Sequence, residues 1–486
     1  MRLRRRDILA GLAATAALPA GAAAPLRTPR PPARGEAVAA PPVDAGGALV
    51  ARSGLTGAVA YAVADAATGE ILESRSPDLA LPPASTAKAL TTLFALERLG
   101  PDHRFETRLL AGGPVRNGRI HGDLILAGGG DPVLDTRDLM EMAAALKDRG
   151  VREVGGKLKV WIGALPRIYE IDGEQPDHVG YNPSICGLNL NFNRVHFGWT
   201  RQGSNYQVSM DARSGRYVPG VEVARMRVVD RNGPVYTYTR AENRDDWTVA
   251  RFALGQEGAR WLPVRHPGLY AGEVFQVLAR SQGIMSRGAV EIAEAPEGEQ
   301  IVFRQSAALE PILEGMLTHS TNLTAEVAGL GATLAEGPRV ETLAGSAGRM
   351  SDWLAARHGL DSTRLEDHSG LGDDSRATAR DMVRAMLASQ EGGRLRPLLK
   401  SFRVDDRRFE VAAKTGTLNF VSALTGFVSG PADRSLAFAI LTGDIPRRDA
   451  LSVAERERPP GGQRWLGASR WLQRSLLERW GALYTV

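Results

Sequence analysis

The distribution of apolar residues changes twice along this chain, near residues 106 and 300. Outside these limits, long segments carry apolar residues at helical spacing, and apolar strand-like segments lie near both ends. Between the limits, short strand-like segments and turns dominate. A chain of 486 residues is long enough for two or three domains with sizeable cores. We therefore expect more than one domain, with a middle region of different architecture.

The N-terminal segment has the layout of an export signal. The chain begins with basic residues, which are followed by an apolar run from Ile8 to Ala20 and then by small residues. This order predicts a signal peptide over residues 1–24. The apolar run is too short to span a bilayer. Arg5-Arg6 resembles a twin-arginine signal, with a general secretory signal as the alternative. Residues 25–48, rich in Pro, Ala and Gly, predict a linker, and we expect a periplasmic location.

Composition excludes several classes of function. The net charge of +5 is mild and the arginines are scattered, which argues against nucleic acid and suits a protein beside an anionic polymer such as a cell wall. The one cysteine, Cys186, cannot form an internal disulfide and is expected to be a buried apolar residue. The glycines at 128–130 lack a phosphate-loop spacing, and the eight histidines show no metal-ligand spacing. We expect no cofactor and no metal, and assign no role to His319 or His368.

Local patterns predict several elements. Residues 58–74 predict two strands around a turn at Thr68-Gly69. Residues 85–99 predict a helix that ends at Gly100. Residues 122–162 predict a strand, a helix and a second strand. Three apolar runs between residues 408 and 443 predict an antiparallel meander.

The C-terminal segment predicts an amphipathic helix with two interpretations. The helix either packs on a sheet, which we favour, or contacts a membrane surface peripherally through its apolar face. The apolar face carries Trp465, Leu472, Leu476 and Leu483, whereas Arg470, Arg474 and Arg479 lie elsewhere.

Three short motifs follow one another in chain order. They are Ser85-Thr86-Ala87-Lys88 at a helix start, Ser320-Thr321-Asn322 between two helical patterns, and Lys414-Thr415-Gly416-Thr417 on a predicted strand. Each motif alone is common, but the ordered set in these contexts is that of serine acyltransferases that react with penicillin.

The first motif is suited to nucleophilic catalysis. Ser85 and Lys88, three residues apart on a helix, project from the same face. A serine hydroxyl is a weak nucleophile and needs a base. Lys88 is a suitable base if burial and a second cation, here Lys414, lower its pKa.

The other two motifs are suited to binding and proton transfer. Ser320 can pass a proton to the leaving amine, and Asn322 can hold both the base and the substrate amide. Lys414, with the hydroxyls of Thr415 and Thr417, can bind a substrate carboxylate. We expect the backbone N–H groups of Ser85 and Thr417 to form the oxyanion hole.

Together the motifs resemble the class C low-molecular-mass penicillin-binding proteins, the D-alanyl-D-alanine carboxypeptidase/endopeptidase group. The long separation of Ser85 from Ser320 is typical of that group, and three further segments are similar to it: "GDLILAGGGDP", "YNPSICGLNLNFN" and "DHSGL". The resemblance implies an α/β (α+β) fold. Its transpeptidase-like domain, residues 49–105 and 301–486, has an antiparallel sheet flanked by helices. Two smaller inserted domains occupy residues 106–300, one of them nested at about 121–165.

The resemblance also implies a function. It implies a D-Ala-D-Ala carboxypeptidase/DD-endopeptidase that acts on peptidoglycan stem peptides through an acyl-enzyme on Ser85, with β-lactam antibiotics as covalent inhibitors. Two alternatives remain open at this stage, a β-lactamase and a catalytically weak peptidoglycan-binding scaffold. Relatives often carry Ser-Arg after the "SGL" segment, where this chain has Gly372-Asp373, and an acidic pair where it has Val160–Gly163. We therefore expect an altered side-chain pocket.

Overall fold

The structure, a computed structural model, describes residues 45–431 and 434–485. The predicted signal peptide and most of the predicted linker lie outside these residues. A helix occupies Ala45–Ser53, so the predicted linker, 25–48, extends into this helix. Leu49 and Val50 pack against an apolar cluster of the main sheet. This long-range contact, which composition does not reveal, accounts for the earlier start of regular structure.

The helices have the following bounds. In chain order they are α1 (Ala45–Ser53), α2 (Ala87–Leu99), α3 (Thr136–Asp148), α4 (Pro267–Ser281), α5 (Leu309–His319), α6 (Asn322–Glu336), α7 (Leu343–His358), α8 (Ala379–Ala388), α9 (Leu395–Leu398), α10 (Ile445–Asp449) and α11 (Gly462–Tyr484).

The strands lie mostly in the middle region and near the two ends. In chain order they are β1 (Ala58–Asp65), β2 (Ile71–Arg75), β3 (Glu106–Ala111), β4 (Val115–Arg116), β5 (Arg119–Ile120), β6 (Leu124–Gly128), β7 (Glu153–Val154), β8 (Leu158–Trp161), β9 (Arg194–Gln202), β10 (Asn205–Asp211), β11 (Ala224–Val229), β12 (Tyr236–Arg240), β13 (Asp245–Ala250), β14 (Glu257–Pro263), β15 (Glu291–Ile292), β16 (Glu299–Gln305), β17 (Lys400–Ser401), β18 (Glu410–Leu418), β19 (Val421–Ser429) and β20 (Ser435–Gly443).

The main sheet is antiparallel and has six strands in the order β17-β18-β19-β20-β1-β2. It contains both the predicted strand pair of residues 58–74 and the predicted meander. Small and large side chains alternate along β1, because successive residues point to opposite faces. Ala60 and Ala62 face the core that contains α2 and α8, whereas Tyr61 and Val63 face the opposite side. The sheet with helices on both faces confirms the predicted α/β fold class.

Helix α11 covers the second face of this sheet. Leu472, Leu476 and Trp480 are fully buried, and the Trp480 ring lies 5.6 Å from the Tyr61 ring. The apolar face of the helix is therefore occupied by the protein itself, as the favoured interpretation predicts, and is not free for a membrane surface. Among the described residues, no helix is both long and apolar enough to cross a membrane.

The middle region begins and ends on neighbouring strands. β3 pairs with β16 in a five-stranded sheet of order β15-β8-β6-β3-β16. Within it, β6 and β8 are parallel and connected through α3, which is the predicted strand, helix, strand unit. Smaller sheets have the orders β4-β5-β7, β10-β9-β14 and β11-β13-β12. The predicted limit at residue 300 falls inside β16, and the division of this region into two domains stays a prediction.

Candidate active site

Ser85 and Lys88 lie where α2 begins. Residues Ala84–Thr86 form one 3₁₀ turn that leads into the helix, with Ala84 in the left-handed region at φ 47°. The side-chain nitrogen Nζ of Lys88 lies 2.9 Å from Oγ of Ser85. Lys88 is completely buried, whereas Ser85 is partly exposed. The serine is therefore accessible to a ligand, and its neighbouring amine is shielded from water.

Ser320 and Asn322 lie in the junction between α5 and α6. Ser320 ends α5 in a left-handed conformation, φ 57°, and Asn322 is the first residue of α6. Lys88 Nζ lies 2.8 Å from Asn322 Oδ1. The amide nitrogen Nδ2 of Asn322 donates to the backbone carbonyl of Tyr181 at 2.9 Å. The amide oxygen of Asn322 is thus held toward Lys88.

The third motif lies on β18 beside the start of α2. Lys414 Nζ donates to Ser320 Oγ at 3.0 Å and to the Thr415 carbonyl at 2.8 Å. At Gly416, a Cβ atom would lie 2.7 Å from the Pro83 carbonyl and 3.1 Å from the Ser85 nitrogen. Glycine therefore allows the strand to approach the nucleophile closely. The structure thus brings all three motifs together.

Electrostatics favour a neutral amine beside Ser85. Burial, and next the charge of Lys414, lower the pKa of Lys88 to about 7. Burial also lowers the pKa of Lys414 to about 8. A substantial fraction of Lys88 is therefore able to accept a proton near neutral pH.

Two buried carboxylates behind Lys88 were not identified from the sequence. Glu326 accepts from the backbone N–H groups of His368 and Ser369, each at 2.9 Å. Asp367 accepts from three N–H groups of the same turn, those of Ser369, Gly370 and Gly372. Burial raises the pKa of both carboxyl groups, and the like charge of Asp367 raises that of Glu326 further. Glu326 lies one helical turn after Asn322, a spacing that signals a shared face.

The turn held by these carboxylates contributes directly to the lysine. The Ser369 carbonyl accepts from Lys88 Nζ at 2.8 Å. When Lys88 is neutral, its two N–H groups can donate to the side-chain oxygen of Asn322 and to the carbonyl of Ser369. The lone pair is then left for the Ser85 hydroxyl, which is the geometry that a general base requires.

A cavity of about 320 Å³ opens over Ser85. Of the predicted residues, Ser85, Ser320, Asn322 and Thr417 line it. The Thr415 side chain, predicted to bind substrate, is exposed and does not line this cavity, and its carbonyl accepts from Lys414. The cavity is also lined by residues from segments outside the three motifs, which were not predicted from the sequence: Gln175, Tyr181, Arg448 and Glu457.

Asp373, which follows the "SGL" turn, forms ion pairs with two arginines. It contacts Arg448, which lines the cavity, and Arg456 at 3.4 Å. A cationic side chain thus reaches the cavity from α10 instead of from the "SGL" turn. The alteration of the side-chain pocket relative to the family stays a prediction.

The residues without an assigned role have structural explanations. His368 is fully buried with Nε2 2.8 Å from Ser346 Oγ, and burial lowers its pKa to about 3. Cys186 is buried, as expected, and burial raises the pKa of its thiol to about 12.

A serine hydroxyl beside a buried lysine, with a second lysine and serine opposite, defines the class of serine enzymes that use lysine as their base. The profile of the D-Ala-D-Ala carboxypeptidase 3 (S13) family matches residues 48–456. The chain is 31% identical to a D-alanyl-D-alanine carboxypeptidase of an Actinomadura species, with 86% of each chain covered. It is 30% identical to carboxypeptidase Rv3627c of Mycobacterium tuberculosis, with 87% of each covered.

The fold is similar to that of a solved structure, penicillin binding protein 4 (dacB) from Haemophilus influenzae. The TM-score is 0.72 at 20% identity, with 90% of this chain and 99% of that chain covered. The chain belongs to the D-Ala-D-Ala carboxypeptidase 3 family and is a serine peptidase. The family predicted from the three motifs is thereby confirmed.

Proposed function

We propose that this protein is a periplasmic D-alanyl-D-alanine carboxypeptidase and DD-endopeptidase that acts on peptidoglycan stem peptides through an acyl-enzyme on Ser85. The observation that carries the proposal is the position of Lys88 Nζ, within hydrogen-bond distance of both Ser85 Oγ and Asn322 Oδ1. The names of the relatives support the substrate class, since two of them are carboxypeptidases. The basic and apolar N-terminal segment supports export.

The proposed acylation step begins with proton transfer. Neutral Lys88 takes the hydroxyl proton of Ser85, and Oγ attacks the carbonyl carbon of the penultimate D-alanine. The N–H groups of Ser85 and Thr417 stabilise the resulting oxyanion. Both groups lie where Gly416 lets β18 approach the helix start.

Departure of the leaving group needs a proton on its nitrogen. Lys414 donates to Ser320 Oγ, so Ser320 can pass its own proton to the leaving amine and regain one from Lys414. The C–N bond breaks, and the acyl group remains on Ser85. Water then attacks the ester and releases the shortened peptide. A leaving group that is one D-amino acid gives carboxypeptidase activity, and a cross-linked residue gives endopeptidase activity.

A fluorescent penicillin tests the proposal, because its strained amide should acylate the same serine. We expect a slowly decaying adduct on Ser85, seen by gel and mass spectrometry. Ser85→Ala should abolish the adduct, whereas Ser401→Ala, at an exposed serine on β17, should retain it. Rapid release of the label would favour the β-lactamase alternative. No adduct in folded protein would favour the scaffold alternative and contradict the proposal. Release of D-alanine from pentapeptides, and cleavage of cross-linked dimers, would then measure the two peptidase activities.

A further inference from the structure

A second cavity of about 140 Å³ adjoins the catalytic one. The two cavities share Tyr181, Ser320 and Asn322 as lining residues. A ligand that extends past Asn322 from the first cavity therefore enters the second. The second cavity is also lined by Arg194 and Phe192, which the three motifs do not include.

The side chain of Arg194 has no acidic partner. Its guanidinium lies over the rings of Phe192 and Trp261, with distances of 5.2 Å and 5.7 Å to the ring centres. Within residues 45–431 and 434–485, this guanidinium forms no ion pair or hydrogen bond, and its Nε atom is buried without a partner. Other buried arginines differ at their terminal nitrogens: those of Arg265 donate to backbone carbonyls, although its Nε also lacks a partner, and Arg448 pairs with Asp373. The buried Nε of Arg194 is left without an acceptor, and its two terminal nitrogens are not fully buried, so they are accessible to a ligand.

The backbone beside Arg194 is strained. Asn191, Phe192 and Asn193 all have left-handed φ angles, 50°, 58° and 51°. Such conformations cost on the order of 1–3 kcal/mol for each residue other than glycine and often mark functional sites. The Leu190 N–H donates to the side-chain oxygen of Asn193, which helps to hold the turn. The strained turn places the Phe192 ring in the cavity wall, beneath the guanidinium.

The charge of the cavity lining suits an anion. Arg194 lines the cavity, and among the described residues the lining contains no aspartate or glutamate. Arginine stays protonated even where burial lowers its pKa, as it does for Arg194. Its planar fork of donors matches a carboxylate in a bidentate geometry.

We propose that Arg194 binds a second carboxylate of the substrate peptide, the free α-carboxyl group of the isoglutamyl residue, which lies outside the scissile D-alanyl-D-alanine unit. The proposal rests on the proposed function, because the terminal carboxylate is assigned to Lys414 and Thr417. The chain then distinguishes peptides by an upstream carboxyl group that the cleavage chemistry does not need.

Two synthetic stem peptides test this inference. Both end in D-alanyl-D-alanine, and they differ only in whether the α-carboxyl group of the isoglutamyl residue is free or amidated. We expect the wild-type protein to cleave the free acid with a kcat/KM about tenfold or more above that of the amide, because a charge-assisted pair is lost in the amide. Arg194→Met should lower kcat/KM for the acid to the level of the amide and leave the amide unchanged.

The controls separate this inference from the proposed function. Arg201→Met, at an exposed arginine on the same strand, should behave as wild type. Benzylpenicillin has one carboxylate, so its rate of acylation of Ser85 should be the same in wild type and Arg194→Met. Equal kcat/KM values of the wild-type protein for the two peptides would overturn the inference. An equal loss of kcat/KM on both peptides in Arg194→Met would also overturn it. Absence of any penicillin adduct on wild type would instead refute the proposed function.

Discussion

The side-chain nitrogen of Asn322 lies 2.9 Å from the backbone carbonyl of Tyr181, although the two residues are 141 positions apart. Tyr181 belongs to the middle region, and Asn322 starts α6 of the helical part. Because this bond uses one N–H of the amide, it orients the oxygen toward Lys88. The middle region therefore takes part in setting the geometry of the catalytic groups, in addition to lining the cavity.

The rate of penicillin acylation should depend on pH in a bell-shaped manner. Lys88 must be neutral to accept the proton, so the rate should rise through about pH 7, the pKa to which burial lowers it. Lys414 must be charged to bind a carboxylate, so the rate should fall above about pH 8. Stopped-flow labelling between pH 5 and pH 9 measures both limbs. At pH 5 we expect a rate roughly 60-fold below the maximal rate, the ratio that follows from titration of Lys88 near pH 7 and Lys414 near pH 8. A profile that is flat below pH 7 would contradict the assignment of Lys88.

Glu326→Gln should move the acid limb of that profile to lower pH. Ionised Asp367 and, next, ionised Glu326 favour the protonated form of Lys88, so removal of the Glu326 charge lowers the pKa of the lysine. Because burial raises the pKa of Glu326 itself to about 8, only part of this charge is present on the acid limb, and we expect a displacement of about half a pH unit. The maximal rate should also fall, because the Ser369 turn loses one acceptor. Glu314→Gln, at an exposed glutamate on α5, is the matched control and should leave the profile unchanged. An acid limb that stays in place would show that Glu326 acts only as a structural acceptor.

Gly416→Ala should slow acylation more than it destabilises the fold. The added Cβ would lie 2.7 Å from the Pro83 carbonyl and would push β18 away from Ser85. We expect a loss of about tenfold or more in the acylation rate and a stability loss of about 1–3 kcal/mol. Labelling kinetics and urea unfolding measure the two effects. Gly467→Ala on α11 has open space around its Cβ and should preserve both properties. Unchanged acylation in Gly416→Ala would refute the need for the close approach.

Trp480→Ala should strongly destabilise the protein. The indole is fully buried between α11 and the main sheet, close to Tyr61 and Phe438. Removal of a buried tryptophan typically costs about 3–5 kcal/mol, through lost burial and a cavity. Urea unfolding measures the change, and Arg474→Ala, on the exposed side of the same helix, should alter stability by about 0.5 kcal/mol or less. A small effect of Trp480→Ala would mean that α11 contributes little to the sheet core.

Local sequence patterns predicted many of the elements of the fold. The hairpin of residues 58–74, the helix after Pro83 and the three C-terminal strands follow from periodicity and turn residues, which act over a few neighbouring positions. The alternation of Ala60 and Tyr61 along β1 was visible in the sequence, but the helices that cover each face were not. Which elements meet across a sheet depends on contacts between distant segments.

By itself, the sequence determined the nucleophile candidate and its immediate partner, because Ser85 and Lys88 are neighbours on one helical turn. It also supplied the three motifs in an order that identified the family. Only the tertiary structure showed that the carboxylates of Glu326 and Asp367 lie close enough to Lys88 to affect its pKa. Only the tertiary structure also showed that Arg448, paired with Asp373, lines the cavity. Those residues act through burial and through charges brought together from distant positions. Spacing along the chain cannot encode either effect, since both arise only when the segments pack.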